Sequence, residues 1–99
     1  MRLLFRLILV LVLHVAQQHA TGQVPQVGTD QTLDVATWNI EWFGSANGPA
    51  DDDRQIANVR AVIEQAGIDL WGLQEIADPD DFDALLDALG DGFDGVLAT

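Results

Sequence analysis

The 99-residue chain has no cysteine and no lysine, and its two histidines, His14 and His19, both fall near its amino terminus. Without cysteine, no disulfide can staple the fold in any compartment. With four arginines against 16 acids and a formal net charge of −12, the surface repels polyanions at long range. It also lacks the basic track that nucleic-acid binding normally uses. With no histidine after His19, the rest of the chain has no imidazole to act as a general base near neutral pH. At 99 residues the length allows one small domain at most.

The positive charge is also unevenly placed. Arg2 and Arg6 flank an apolar run from Leu7 to Leu13, followed by His14, Val15 and Ala16. A basic start, an apolar centre and a small residue at Ala20 read as a secretory signal peptide over residues 1–20, with cleavage after Ala20 or, alternatively, after Ala16. The run is too short and too closely flanked by polar residues for a permanent membrane span; an uncleaved amino-terminal anchor is the alternative. Export then leads to a secreted or periplasmic location. Beyond residue 20 only Arg54 and Arg60 oppose all 16 acids, a net charge of −14. Two accounts of this bias stand side by side. Adaptation to high salt would screen the self-repulsion, or the segment is the acidic part of a longer protein.

Residues 21–32 read as a linker: polar, with Gly22, Pro25 and Gly28 and no periodicity. A first strand is expected from Leu33 to Glu41, rich in β-formers without clean alternation, as for a strand buried on both faces. Gly44 to Asp53 is a loop ending in three aspartates that suit a helix start. Ile56, Val59, Ile63 and Ala66 recur at helical spacing, and Gly67 ends the helix. A second strand follows from Ile68 to Ile76. Asp78 and Pro79 then open a second helix, with Phe82, Leu85, Leu86 and Leu89 on one stripe and Gly90 as the stop. Phe93 to Ala98 is expected to begin a third strand, although Gly92 and Gly95 oppose it.

Strand, helix, strand in this order implies two parallel strands joined by a crossover. The carboxyl ends of both then share one edge of the sheet, where open α/β folds bind ligands. Asn39 and Glu75 would meet there. A carboxylate at the end of an apolar strand is costly to bury unless paired or bound to a cation, and hard divalent cations take oxygen ligands.

The pair of motifs WNIEWFG (Trp38 to Gly44) and LQEI (Leu73 to Ile76), in that order with an amphipathic helix between, resembles the opening of the endonuclease/exonuclease/phosphatase superfamily, the deoxyribonuclease I-like group. The resemblance runs from Leu33 to Thr99. It implies that residues 33–99 are the amino-terminal β-α-β-α-β portion of a two-sheet α/β sandwich, incomplete at this length. It further implies a metal-dependent phosphoesterase of the nuclease or phosphodiesterase type, which the leader read above would make an exported one. Glu75 matches the family's metal-binding glutamate, and Asn39 matches the asparagine that orients the phosphate and the metal-site network, so both count as catalytic and metal-site candidates. Glu41 is not carried over. The implied cofactor is Mg2+ or another divalent cation such as Mn2+ or Ca2+. The implied substrate is a phosphodiester or phosphomonoester, with nucleic acid and phospholipid both within the family's range. The family's histidine, Asp-x-Asn element and late Asp-His pair have no counterpart here, so the 99-residue chain is expected to be inactive alone. The alternative is a small exported acidic α/β binding protein without catalysis.

Other patterns yield to simpler explanations. Trp38 and Trp71 suit core packing better than base stacking; Trp42, past the expected strand end, suits a cleft. Gln74 suits packing or the surface rather than a supporting role beside Glu75. Gly44 to Gly48 lacks the G-x-G-x-x-G spacing, and aspartates at the next helix start would oppose a pyrophosphate, which disfavours a nucleotide-binding domain. The aspartates from Asp78 to Asp94 are interrupted by Pro79 and an apolar stripe and lack the distal glutamate of an EF-hand.

Overall fold

Asp51 and Asp78 begin the two helices in the same way. The Asp51 Oδ1 accepts the backbone N–H of Arg54 at 2.9 Å, and the Asp78 Oδ1 accepts that of Asp80 at 2.8 Å. Each satisfies a donor that the first helical turn would otherwise leave unpaired. Pro79 follows as the first helical residue, where its missing N–H costs nothing. The computed structural model describes residues 23–98, and the leader expected over residues 1–20 lies outside them, as do His14 and His19. The elements run β1 (Val35–Phe43), α1 (Asp52–Ala66), β2 (Leu70–Ile76) and α2 (Pro79–Leu89), then a single 3-10 turn at Gly90–Gly92. Both expected helices and the first two of the expected strands are present. β1 begins and ends two residues later than the pattern suggested, and β2 begins two residues later.

The strands pair in parallel, with Val35 opposite Leu70, Trp38 opposite Leu73 and Asn39 opposite Gln74. Ile40 and Phe43 of β1, Val59 and Ile63 of α1 and Leu85 of α2 form one buried cluster. Both helices therefore cover the same face of the sheet. Trp38 and Trp71 pack against this cluster with ring centroids 6.1 Å apart and planes tilted by 53°, a favourable aromatic geometry. Among the described residues, the indole N–H of Trp71 is the buried side-chain polar group with no partner.

Two expectations need correction. β1 is not buried on both faces: its residues from Val35 to Ile40 alternate outward and inward. Leu33, Val35 and Leu70 stand exposed on the uncovered face, Leu33 at 78 %. Apolar outward residues without a covering layer blur the alternation in the sequence, which is why the strand read as doubly buried. Nor is Phe93 to Ala98 a strand. Its backbone is irregular, and no backbone hydrogen bond joins it to β2.

The segment from Gln23 to Thr32 has no helix or strand but is docked. The N–H groups of Val27 and Gly28 both donate to the Ala66 carbonyl at 2.9 Å, occupying an acceptor at the end of α1. Gly28 lies so close to the next turn that a Cβ there would sit 1.7 Å from the Gly67 carbonyl oxygen, so only glycine allows this approach. Among the described residues, no helix is long and apolar enough to cross a membrane.

Leu85 is 1 % exposed at the centre of this small core. Leu85→Ala is expected to cost about 2–5 kcal/mol in urea unfolding of the 99-residue chain; a loss near zero would show that α2 does not pack as described.

Candidate functional site

The carboxyl ends of β1 and β2 bring Asn39 and Glu75 together. Asn39 Nδ2 donates to Glu75 Oε1 at 3.0 Å, across 36 residues of sequence. Parallel register alone does not produce this contact. Asn39 is opposite Gln74, so strict alternation would send Gln74 to the Asn39 face and Glu75 to the other. Glu75 instead adopts φ +61°. This left-handed backbone interrupts the alternation where the carboxylate meets the amide. Gln74 is exposed and its Nε2 donates to the Gly72 carbonyl at 3.0 Å.

β1 is distorted beside the same point. The register shifts between Asn39 and Phe43, and Glu41 and Trp42 adopt φ +40° and +63°. Asn39 Oδ1 accepts the Glu41 N–H at 2.9 Å, so one asparagine holds both the bulge and the carboxylate. Three non-glycine residues at positive φ, each costing on the order of 1–3 kcal/mol, are the kind of strain that gathers at functional sites. Nothing in the sequence marked Glu41 or Trp42 for this: neither is glycine, and the expected strand simply ended at Glu41. Trp42, at the distorted end of β1 rather than beyond it, is 47 % exposed.

The loop after β1 is pinned from two sides. The Gly44 N–H donates to Gln55 Oε1 of α1 at 3.0 Å. Gly44 itself, at φ +72°, lies so near α2 that a Cβ would fall 2.6 Å from Asp81 Oδ2. The starts of both helices thus flank the loop, and they bring acids with them. Burial raises the Asp81 carboxyl above the usual carboxylate range, and the charges of Asp52, Asp78, Asp53 and Asp80 add to the effect.

The donor set suits a divalent cation that keeps most of its water. Glu75 is exposed at the sheet edge, and Mg2+ is commonly held by one or two carboxylates with waters and substrate phosphates completing the shell. Asn39 presents its amide nitrogen to Glu75 and commits its oxygen to Glu41, an arrangement that orients the carboxylate. Among the described residues no group of three or more His, Cys, Asp or Glu side chains is gathered as a metal cage.

The model of the endonuclease/exonuclease/phosphatase family matches residues 36–98, which contain both strands, both helices and the Asn39–Glu75 pair. The chain belongs to the endonuclease/exonuclease/phosphatase family. No curated protein and no solved structure matches it. The β-α-β-α order with a two-stranded parallel sheet is an incomplete α/β fold of this hydrolytic superfamily, whose members act on phosphate esters such as nucleic acids.

Because folding raises the proton affinity of Asp81, its ionisation opposes folding: stability falls as pH rises from the ordinary carboxylate range through the raised value. Asp81→Asn is therefore expected to raise Tm at neutral pH, with the gain shrinking as the pH falls below that value and Asp81 itself becomes neutral. A gain that is the same at pH 3 and pH 7 would contradict this account.

Proposed function

We propose that this chain carries the first part of the active site of an exported, metal-dependent phosphoesterase. The observation that supports this most directly is the Asn39–Glu75 hydrogen bond at the carboxyl ends of two parallel strands. It joins the two motifs on which the resemblance to the family rests, both within the matched residues 36–98. Glu75 would hold the cation through the carboxylate oxygen not engaged by Asn39. Asn39 would keep that carboxylate turned outward and, through its amide, help fix the position of the phosphate. A bound divalent cation supplies Lewis-acid polarisation of a phosphoryl oxygen and stabilises charge on the leaving oxygen.

The residues after His19 offer no imidazole to activate or orient a water. We therefore assign the 99-residue chain a cation-binding half-site without turnover of its own. Export rests on the leader over residues 1–20. The substrate class is a phosphate ester, and the net charge of −12 weighs against tight duplex binding by this part of the protein.

Mn2+ added to the isotopically labelled chain is expected to broaden the side-chain amide signals of Asn39, and Glu75→Gln should abolish that broadening while leaving the rest of the spectrum folded. Asn39→Ala should weaken Mn2+ binding by about 10-fold or more, as loss of a supporting partner does at metal sites. Broadening at Asn39 that persists in Glu75→Gln would remove the metal role from Glu75. Hydrolysis of a nitrophenyl phosphodiester by the chain, lost in Glu75→Ala, would overturn the assignment of a half-site without turnover.

A further inference from the structure

The loop between β1 and α1 contains an asparagine followed by a glycine, Asn47 and Gly48. Asparagine is among the thermolabile side chains, because the backbone nitrogen of the next residue can attack its side-chain carbonyl. A side chain on that next residue crowds the approach, and glycine has none. Asn47 is exposed. No described residue bonds its side-chain amide; its backbone N–H donates to Ser45 Oγ at 3.2 Å. The Gly48 N–H closes the turn by donating to the Ser45 carbonyl at 2.9 Å. Opening that bond frees the nitrogen, and an exposed turn opens at far lower cost than a strand or a helix. The other two asparagines are held differently. Asn39 has both ends of its amide engaged, by Glu75 and Glu41, and buried Ile40 follows it in β1. Asn58 lies within α1 and is followed by buried, β-branched Val59, so ring closure there would break the helix ladder. Gly48 is also fixed by packing. A Cβ on it would lie 2.6 Å from the Trp42 carbonyl oxygen and 2.8 Å from the Trp42 Cβ. The same Trp42 oxygen accepts the Ser45 N–H at 2.9 Å. Seating the loop against the bulge therefore requires glycine after Asn47, and the susceptible pair comes with it.

We propose that Asn47 and Gly48 form a self-modifying site, at which the chain deamidates to aspartyl and isoaspartyl forms with water as the co-reactant. The Gly48 nitrogen gives its proton to hydroxide and bonds to Asn47 Cγ. The Cγ–Nδ2 bond breaks, and ammonia leaves with a proton returned by water, giving a five-membered succinimide. Water then adds to one of the two ring carbonyls and breaks its bond to the ring nitrogen, and the new carboxyl releases its proton to solvent. Opening at Cγ leaves an ordinary aspartyl residue at position 47. Opening at the backbone carbonyl leaves an isoaspartyl linkage, in which the main chain runs through the side-chain methylene. Either product adds one negative charge to a chain of net −12. The isoaspartyl form also lengthens the turn between Ser45 and Gly48 by one backbone atom. Gly48 then no longer fits against Trp42, and the bulge at Glu41 and Trp42 loses a support.

The test incubates the full 99-residue chain at mildly alkaline pH and follows it by intact mass and tandem mass spectrometry. The amide-to-acid mass gain should appear at Asn47 at least about 10-fold faster than at Asn39 or Asn58, because an exposed turn opens more readily than a strand or a helix. The rate should rise in proportion to hydroxide, and the product should accept methyl groups from an isoaspartyl-specific methyltransferase. Asn47→Gln, whose ring would be six-membered, should keep its mass over the same period; should that variant disturb the loop, the site-resolved rates in the unaltered chain decide alone. In nitrogen-15-labelled protein the backbone amide signals of Trp42 and Ser45 should move in the isoaspartyl form and stay in place in Asn47→Asp, which carries the charge without the longer backbone. Equal rates at the three asparagines would overturn the site, as would an intact Asn47 once a free peptide of residues 45–50 has fully converted. Deamidation without isoaspartate would overturn the ring route. Trp42 and Ser45 signals that stay unmoved, or that move equally in Asn47→Asp, would overturn the effect on the bulge.

Discussion

The parallel pairing of β1 with β2 is the constraint on which the rest depends. Two parallel strands cannot be joined by a tight turn, so α1 must cross over between them, and their carboxyl ends emerge side by side. The asparagine of one motif and the glutamate of the other, 36 positions apart in sequence, then come within 3.0 Å. The caps at Asp51 and Asp78, the stop at Gly67 and the docking of Val27 and Gly28 on Ala66 all hold the crossover and its neighbour α2 in the places that this pairing requires.

Pairing alone would still miss the site by one residue. Glu75 belongs, by alternation, to the face away from Asn39, and its positive φ brings it back. The bulge at Glu41 and Trp42 is the matching distortion on the other strand, held through the oxygen of the same Asn39 side chain. One amide therefore links two strained backbone segments to one carboxylate. Strain of this kind persists only when surrounding contacts over-determine it, and here the clamping of Gly44 between Gln55 and Asp81 provides part of that frame.

The acids and the missing covering layer act on different sides of the molecule. Asp52, Asp53, Asp78, Asp80 and Asp81 gather where the two helices begin, and their mutual repulsion is the cost of supplying both helices with acidic first turns. The bare face of the sheet, with Leu33, Val35 and Leu70, carries apolar groups instead. In the two-sheet sandwich implied by the resemblance, a second layer lies against such a face.

By itself the sequence determined the element order, both helix starts and stops, the parallel crossover and the identity of the two residues at the sheet edge. Those features rest on local physics: capping acids, proline at the first helical position, glycine stops and periodic apolar residues act within a few positions of themselves. It also carried the family, because the two motifs and the helix between them are legible in order. Only the tertiary structure decided which face of β1 is covered, that Phe93 to Ala98 stays unpaired, that Glu41 and Trp42 form a bulge, and that Glu75 turns onto the side of Asn39. Each of these depends on what lies across space. A strand needs a neighbour to bond with, a face needs a layer to bury it, and a residue such as Glu75 or Trp42 enters the left-handed region only when contacts from other elements hold it there.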